Sequence, residues 1–226
     1  MNHHTNIVRI KSVHNLLGEL RDKVVFVGGA TVALYSDRMA TEVRPTDDVD
    51  ILIEILSYPE YSALEEQLRK IGFVNDMESG IICRYKIQGI IVDVMPTSGK
   101  PLGFTNKWYP DGHKNAVDYK IDERTTVKIF SAPYFIASKL EAFKGRGKND
   151  GRTSSDFEDI VFVLENRRTI WVELANSHSE LKQYLKAEFQ KFLKTPFFAE
   201  WIDGHVSRGS TPATYSIIEE LTKFAV

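Results

Sequence analysis

Three aspartates on two predicted strands are the residues of this chain best suited to carry chemistry. Asp48 and Asp50 stand one residue apart at the start of an apolar run that ends at Ile53. Because successive strand side chains alternate between faces, Asp48 and Asp50 project together while Val49 and Ile51 point to the opposite, buried side. Two like charges on one face of an apolar strand repel each other and cost desolvation, which a divalent cation offsets.

The third acid, Asp93, lies in an apolar segment, residues 89–96, that reads as a second strand. A buried strand rarely carries an unpaired Asp, so we expect Asp93 to share a cation with Asp48 and Asp50. Three carboxylates from two strands can hold two Mg²⁺ ions about 4 Å apart, the arrangement used for in-line phosphoryl displacement. We therefore predict that all three are catalytic metal ligands for Mg²⁺, with Mn²⁺ as its substitute. The alternative is that Asp48 caps a strand end and Asp93 pairs with a Lys.

A glycine pair precedes these acids. Gly28 and Gly29 follow a predicted strand, Val24–Val27, and a short helix-like segment comes after them. Glycines after a strand let the backbone approach a phosphate, and the start of a helix supplies free N–H groups. An ordinary turn is the alternative for the pair alone, but together with the acids it predicts a site for a metal–nucleotide complex.

This order of elements resembles the nucleotidyltransferase superfamily with a polymerase-β-type palm. Within it, Arg44-Pro-Thr46-Asp-Asp48-Val-Asp50 is similar to the Arg-x-Thr-x-Asp-hydrophobic-Asp signature of the AbiEii/AbiGii abortive-infection toxin branch. The match departs in two respects. The 18 residues from position 30 to 47 (47 − 30 + 1) are more than the compact members have, and Gly29 replaces the common Ser. The resemblance implies that the nucleotide is bound by Gly28, Gly29, Thr31, Arg44 and Thr46.

A later segment also resembles this branch, with Lys139 on one predicted helix and Asp156 opening the next. The resemblance implies that both are catalytic, facing the metal strand across a cleft, with Lys139 reaching the phosphates and Asp156 orienting Lys139 or the acceptor. The alternative for Asp156 is that it only supports its helix end, with Asp159 a surface acid. The basic, glycine-broken run from Lys139 to Arg152 is predicted to be a loop that admits a polyanionic acceptor. A solvated connection is the alternative.

The resemblance implies an NTP-dependent and Mg²⁺-dependent nucleotidyltransferase. Its expected acceptor is RNA, such as a tRNA 3′ end, and its expected role is the toxin of a toxin–antitoxin or abortive-infection pair with a cognate antitoxin protein. Nucleotidylation of an antibiotic-type small molecule or of a protein side chain is the alternative. Two other classes stay open: a metal-dependent nuclease, which would not need the glycine pair, and a non-catalytic partner-binding module.

Composition agrees with a cytoplasmic globular protein. The 226 residues are 42% hydrophobic and 27% charged, with a net charge of −2, which argues against a protein that coats nucleic acid. The lone Cys83 excludes an intramolecular disulfide and a Cys-rich zinc site. No apolar run approaches the length of a membrane span, so we expect no membrane partner.

Periodicity predicts an α/β (α+β) fold, with a mixed-sheet palm in residues 1–130 and a helical domain packed on it in residues 131–226. A hairpin is expected at Gln88-Gly89, and a capping-box helix is expected to start at Ser62. Residues 103–120 read as an irregular loop that is long enough to be functional. Its His113 is a minor candidate for substrate contact, and packing as a lid is the alternative.

Overall fold

The structure is a computed structural model and describes residues 2–37, 43–103, 105–207 and 211–226. The chain divides into two compact units, residues 1–34 with 41–131 and residues 35–40 with 132–226. Strands and helices alternate in the first unit, and the described part of the second unit is helical.

Among the described residues, seven strands form one mixed sheet in the first unit. They are β1 (Val24–Val27), β2 (Asp48–Ile53), β3 (Val74–Asn75), β4 (Arg84–Ile87), β5 (Ile90–Pro96), β6 (Val117–Lys120) and β7 (Thr126–Ile129). Their order is β3-β4-β5-β2-β1-β7-β6. The pairs β1–β7 and β2–β5 are parallel, and the remaining neighbours are antiparallel. The sequence predicts β1 at its observed bounds and β2 as Val49–Ile55, which is within two residues of the observed strand.

The centre of the sheet follows from composition. All four residues of β1 are buried, and in β2 the two aspartates are the half-buried positions among buried Val, Ile and Leu. Apolar burial at about 25 cal/mol per Å² is the main stabilising term for such strands. The two aspartates therefore lie at the start of a strand that is anchored in the core.

Three α-helices and two 3-10 helices complete the first unit as described. They are α1 (Asn2–Leu16), a 3-10 helix (Gly18–Lys23), a second 3-10 helix (Gly29–Tyr35), α2 (Tyr58–Lys70) and α3 (Tyr109–Lys114). The prediction that α2 begins at Ser62 was wrong. Ser57 is the N-cap, and its side chain accepts a hydrogen bond from the Glu60 backbone N–H, while Pro59 occupies the first turn. Proline is pre-organised for that position and the cap precedes it, so the helix starts one turn earlier.

Residues 103–120 are more regular than the sequence predicted. They contain α3 and the edge strand β6, and Trp108 is buried. A Cβ at Gly112 would lie 2.7 Å from Cζ of Phe130, so only glycine lets α3 approach that ring so closely. His113 Nε2 lies 3.4 Å from the Lys23 carbonyl oxygen. The segment packs as part of the unit, in keeping with the alternative expectation.

The second unit is built from helices, which confirms the predicted fold class of a mixed-sheet half followed by a helical half. They are α4 (Ala132–Arg146), a 3-10 helix (Gly151–Thr153), α5 (Ser155–Asn166), α6 (Ile170–Ala175), α7 (Ser179–Leu193), α8 (Phe198–Asp203) and α9 (Thr211–Ala225). None of the helices in the described ranges is both long and apolar enough to cross a membrane.

Aromatic rings fill the interior of this unit. Phe157 lies with its ring centroid 5.7 Å from those of Phe143 and Phe192 and 5.6 Å from that of Trp201. Tilted and edge-on aromatic pairs at such distances add to the energy of area burial. The sequence predicts that the C-terminal aromatic residues, Phe189, Phe192, Phe197, Phe198 and Trp201, are core residues. Four of them are buried, and Phe197 is instead 53% exposed.

The basic run predicted as a loop is helical in its first half. α4 continues to Arg146, so Lys139, Lys144 and Arg146 stand on a helix. A single glycine, Gly145, costs a helix only about 1 kcal/mol, and buried apolar residues along α4 offset that cost. The chain turns at Lys148 and the next residue, which both have positive φ.

Candidate functional site

The three predicted metal ligands share one face of the sheet. Asp50 on β2 is the register partner of Asp93 on β5, and Asp48 is two residues before Asp50 on the same strand. Because side chains at register partners and at alternate strand positions point to the same face, the three carboxylates are brought together. Asp93 is buried, and Asp48 and Asp50 are half-buried.

Gly28 lies directly against one of these carboxylates. It follows β1, whose Val27 is the register partner of Asp50, and its φ of +71° favours glycine. A Cβ at Gly28 would stand 1.8 Å from Oδ2 of Asp50 and 2.6 Å from its Cγ. Position 28 therefore requires glycine for two reasons. The backbone has a positive φ, and the Asp50 side chain occupies the space that a Cβ would need.

Gly29 makes a similarly close approach to the signature residues. A Cβ there would lie 2.4 Å from Nη2 of Arg44 and 2.9 Å from Cγ2 of Thr46. Thr46 is buried, its hydroxyl donates to Oδ1 of Asn6 at 3.3 Å, and its carbonyl oxygen accepts from Arg9. The fold thus brings three of the residues predicted to bind the nucleotide into one cluster, and their contact with a nucleotide stays a prediction.

Thr31 stabilises the turn that carries the glycines. Its hydroxyl donates to the Gly28 carbonyl oxygen at 2.9 Å, its backbone N–H donates to the same oxygen at 3.3 Å, and the residue is fully buried. These bonds begin the 3-10 helix at Gly29. Thr31 is thus a buried residue that holds the turn, and its contact with a nucleotide stays a prediction.

Sequence reasoning missed Arg84. This residue lies on β4, where it is the register partner of Asp93 on β5. Its Nε donates to Oδ1 of Asp93 at 2.8 Å, and its Nη2 donates to Oδ2 of Asp93 at 2.8 Å and to Oδ2 of Asp48 at 2.9 Å. The signal was present in the sequence, because a two-residue turn at Gln88-Gly89 pairs position 84 with position 93. The alternative expectation was that Asp93 pairs with a Lys, whereas its partner in the structure is Arg84.

Within the described ranges, no group of three or more His, Cys, Asp or Glu side chains is arranged to hold a metal ion. In this arrangement Arg84 supplies the positive charge at Asp48 and Asp93. The donor set nevertheless suits Mg²⁺, which prefers carboxylate oxygens. The glycine at position 28 leaves room for the Asp50 side chain on this face, beside the other two carboxylates.

The carboxylates also affect the thiol beside them. Burial, followed by the negative charge of Asp93, raises the pKa of Cys83 to about 11. Hydrogen bonding to Asp93 raises the pKa of Arg84, so its guanidinium is always charged. A neutral buried thiol is a poor nucleophile, which leaves Cys83 as a packing residue.

The two predicted residues of the second unit belong to a buried ionic cluster. Lys139 Nζ lies 3.2 Å from Oδ1 of Asp156 and 2.7 Å from Oδ2 of Asp159, and their side chains are only 6%, 1% and 1% exposed. Arg146 donates to both oxygens of Asp156, at 2.7 and 2.8 Å. Asp159 is therefore a buried partner of Lys139. The alternative expectation that it is a surface acid was wrong.

Asp156 is ionised in this cluster. Burial opposes the charged form, but the hydrogen bond from Arg146 and the charge of Lys139 outweigh it and lower the pKa of Asp156. Ser154 caps α5 by accepting from the Phe157 N–H, which leaves the Asp156 carboxylate to Lys139 and Arg146. The catalytic roles of Lys139 and Asp156 stay predictions.

Comparison with known proteins was informative at the level of structure. No protein-family model matches the chain, and no curated protein matches it. Among solved structures, that of the antibiotic-resistance factor ANT(2'')-Ia, a nucleotidyltransferase, is similar with a TM-score of 0.52 and 15% identity over 84% of this chain and 94% of that one. The chain has a nucleotidyltransferase-like fold. At this identity the likeness shows the fold alone, and it does not confirm the AbiEii/AbiGii branch.

Proposed function

We propose that this protein transfers a nucleoside monophosphate from an NTP to an acceptor. The observation that carries the proposal is the set of three carboxylates, Asp48, Asp50 and Asp93, on one face of two parallel strands, with the Gly28 backbone against Asp50. The nucleotidyltransferase-like fold supports it. In the reaction, an acceptor hydroxyl oxygen bonds to the α-phosphorus, the bond to the bridging oxygen breaks, pyrophosphate leaves with the electron pair, and the hydroxyl proton is released.

The three carboxylates would hold Mg²⁺ or Mn²⁺. Such a cation, when bound, neutralises phosphate charge and stabilises an in-line displacement by several kcal/mol. Around it, backbone N–H groups of Gly28 and Gly29 would bind phosphate oxygens, with Arg44 and Thr46 beside Gly29. The family resemblance extends the proposal to Lys139 and Asp156, which would act in the same reaction.

RNA is the acceptor that we propose first, with the protein acting as a toxin held by an antitoxin partner. This rests on the resemblance to the AbiEii/AbiGii signature at Arg44 and Thr46 and on the basic run after Lys139. Part of that basic charge is already neutralised, since Lys144 pairs with Glu141 at 2.5 Å and Arg146 pairs with Asp156.

A small-molecule acceptor is the second candidate, and two observations favour it. The similar structure belongs to an antibiotic-resistance factor, and the ion pairs of Lys144 and Arg146 leave less free charge for a polyanion. An RNA acceptor predicts transfer that weakens steeply with salt, because each neutralised phosphate releases counterions. Transfer to an uncharged small molecule lacks that dependence.

The test is an incubation of the protein with Mg²⁺ and each NTP labelled at the α-phosphate, with total RNA or with a panel of aminoglycosides. Asp50→Asn is the inactive variant, and Asp47→Asn is its matched control, because Asp47 is the exposed neighbour and loses the same charge. Labelled RNA supports the first acceptor, and a labelled aminoglycoside supports the second. Label transfer that Asp50→Asn leaves unchanged, or the absence of transfer to RNA, to a small molecule and to protein, contradicts the proposal.

A further inference from the structure

Arg84 gives the candidate metal site a cation of its own. Its guanidinium makes three charged hydrogen bonds of 2.8 to 2.9 Å, two to Asp93 and one to Asp48. The pair with Asp93 is a two-pronged fork, the strongest form of Arg–carboxylate contact. Only 19% of the Arg84 side chain and 11% of the Asp93 side chain are exposed, so water screens this contact little.

The backbone sets this fork. Arg84 and Asp93 are register partners in the antiparallel pair β4–β5, and Asp93 is the register partner of Asp50 in the parallel pair β2–β5. Cross-strand partners direct their side chains to the same face. The guanidinium therefore lies on the face that carries the three carboxylates.

A divalent cation and this guanidinium require the same oxygens. Mg²⁺ binds carboxylates at about 2.1 Å in a near-ideal octahedral shell, whereas both Asp93 oxygens and one Asp48 oxygen are occupied by N–H donors. Like charges so close repel each other, and an arginine in a protein does not relieve the repulsion by losing its proton. The two cations therefore compete for these oxygens.

We infer that Arg84 competes with the divalent cation for Asp48 and Asp93, so that metal binds weakly until a nucleotide arrives. The phosphates of the nucleotide would then offer the guanidinium a second partner, and the freed oxygens of Asp48 and Asp93 would hold the metal. Arg84 is thus a positioning residue that couples metal binding to nucleotide binding. This inference rests on the proposed function, since it concerns the same three carboxylates.

A purely structural ion pair makes a different prediction. In that case Arg84 only neutralises buried carboxylates, and removing it leaves an uncompensated charge that destabilises the sheet. Nucleotide would then change the metal affinity of the wild type and of the variant by the same factor. The gain in metal affinity that nucleotide produces, compared between the wild type and the Arg84 variant, therefore separates the two roles.

The experiment is a Mn²⁺ titration followed by electron paramagnetic resonance, with and without a non-hydrolysable NTP analogue. We expect nucleotide-free Arg84→Gln to bind Mn²⁺ at least ~10-fold more tightly than the wild type, since removing a nearby like charge is worth ~1.4 kcal/mol or more. The analogue should raise the affinity of the wild type by more than that of the variant.

Lys86→Gln is the matched control. Lys86 lies two residues along β4 on the same face, and it pairs with Asp76 and Glu78 instead. The Lys86→Gln substitution removes the same charge from the same strand, so we expect the Mn²⁺ affinity of this variant to equal that of the wild type. Arg84→Lys keeps the charge but cannot form the fork, and a smaller gain is expected. Should Arg84→Gln fail to fold by circular dichroism, Arg84→Lys carries the test.

Two results overturn the inference and are distinguishable. Equal nucleotide-free affinities for the wild type and the Arg84 variants, in a site that Asp50→Asn abolishes, refute the competition and leave the metal site standing. Absence of Mn²⁺ binding in every variant, with and without nucleotide, refutes the inference together with the metal role in the proposed function.

Discussion

Gly28→Ala is the substitution for which the structure makes the sharpest prediction. A Cβ at this position would stand 1.8 Å from Oδ2 of Asp50, and the next two nearest atoms are also Asp50 atoms, Cγ at 2.6 Å and Cβ at 2.9 Å. Side-chain carbons essentially never lie closer than 3.0 Å to such atoms. The Oδ2 contact alone therefore requires a displacement of at least 3.0 − 1.8 = 1.2 Å.

That displacement falls on a proposed metal ligand. The Asp50 carboxylate has to rotate away from its present position, and because a Cβ at Gly28 would also lie 2.9 Å from the Asp50 Cβ, the backbone has to shift slightly as well. A 1 Å misplacement at a reacting centre costs about 100-fold in rate, which corresponds to about 2.7 kcal/mol in the barrier. The left-handed backbone adds a stability cost of about 1 kcal/mol.

The assay measures the rate of nucleotidyl transfer at saturating NTP, alongside chemical unfolding. The matched control is Gly80→Ala. Gly80 has a φ of +69°, and a Cβ there would meet no heavy atom of the described residues within 4 Å, so this variant carries the backbone cost without the clash. We expect both variants to lose similar stability from backbone strain, and only Gly28→Ala to lose transfer. Equal transfer rates in the two variants would refute the placement of Asp50 in the reaction.

Three further predictions concern the other predicted residues. Asp50→Ala should lose on the order of 1,000-fold in transfer, since metal stabilisation is worth several kcal/mol, while its circular dichroism spectrum stays that of the wild type. Gly29→Val should weaken NTP binding, measured by calorimetry, because the valine Cβ would stand 2.4 Å from Nη2 of Arg44. An unchanged NTP affinity would show that Gly29 is not part of the site. Asp156→Asn should lower the free energy of unfolding at pH 7 by about 3 kcal/mol, as breaking a buried ion pair does. Because the pKa of Asp156 is lowered in the folded state from 3.8, its contribution is present above that value and lost as pH falls through the folded pKa, so the two proteins should converge in acid; a constant gap would contradict the assignment.

Local periodicity was sufficient to predict much of the sheet. The alternation of acid and apolar residues in β2 assigned Asp48 and Asp50 to one face, and the turn at Gln88-Gly89 predicted the β4–β5 hairpin. Both signals depend on residues close in the chain, where strand geometry leaves few choices. The predicted mixed sheet followed by a helical half was confirmed for the same reason.

Elements that depend on distant contacts were not predictable in this way. β6 is a short edge strand with mostly exposed residues, so it has no alternation to read, and it forms only because β7 pairs with it. α3 contains Pro110 and Gly112, which signal a loop, yet the helix packs on the Phe130 ring where a larger residue would not fit. Tertiary packing overrides local propensity in both segments.

The charged residues show the same limit most clearly at the site itself. Three acids on one face of two strands indicated a cation from solvent, but the fold brings Arg84 onto the same face from the neighbouring strand. Lys139, expected to meet phosphates, has two buried aspartates as partners one turn apart on α5. A residue type and its spacing predict which face a charge occupies, whereas the partner of that charge is decided by which strand or helix the chain places next to it. Both basic residues therefore have to exchange a carboxylate for a phosphate if they act on a nucleotide, and for Arg84 that exchange is what the Mn²⁺ titration of its variants measures.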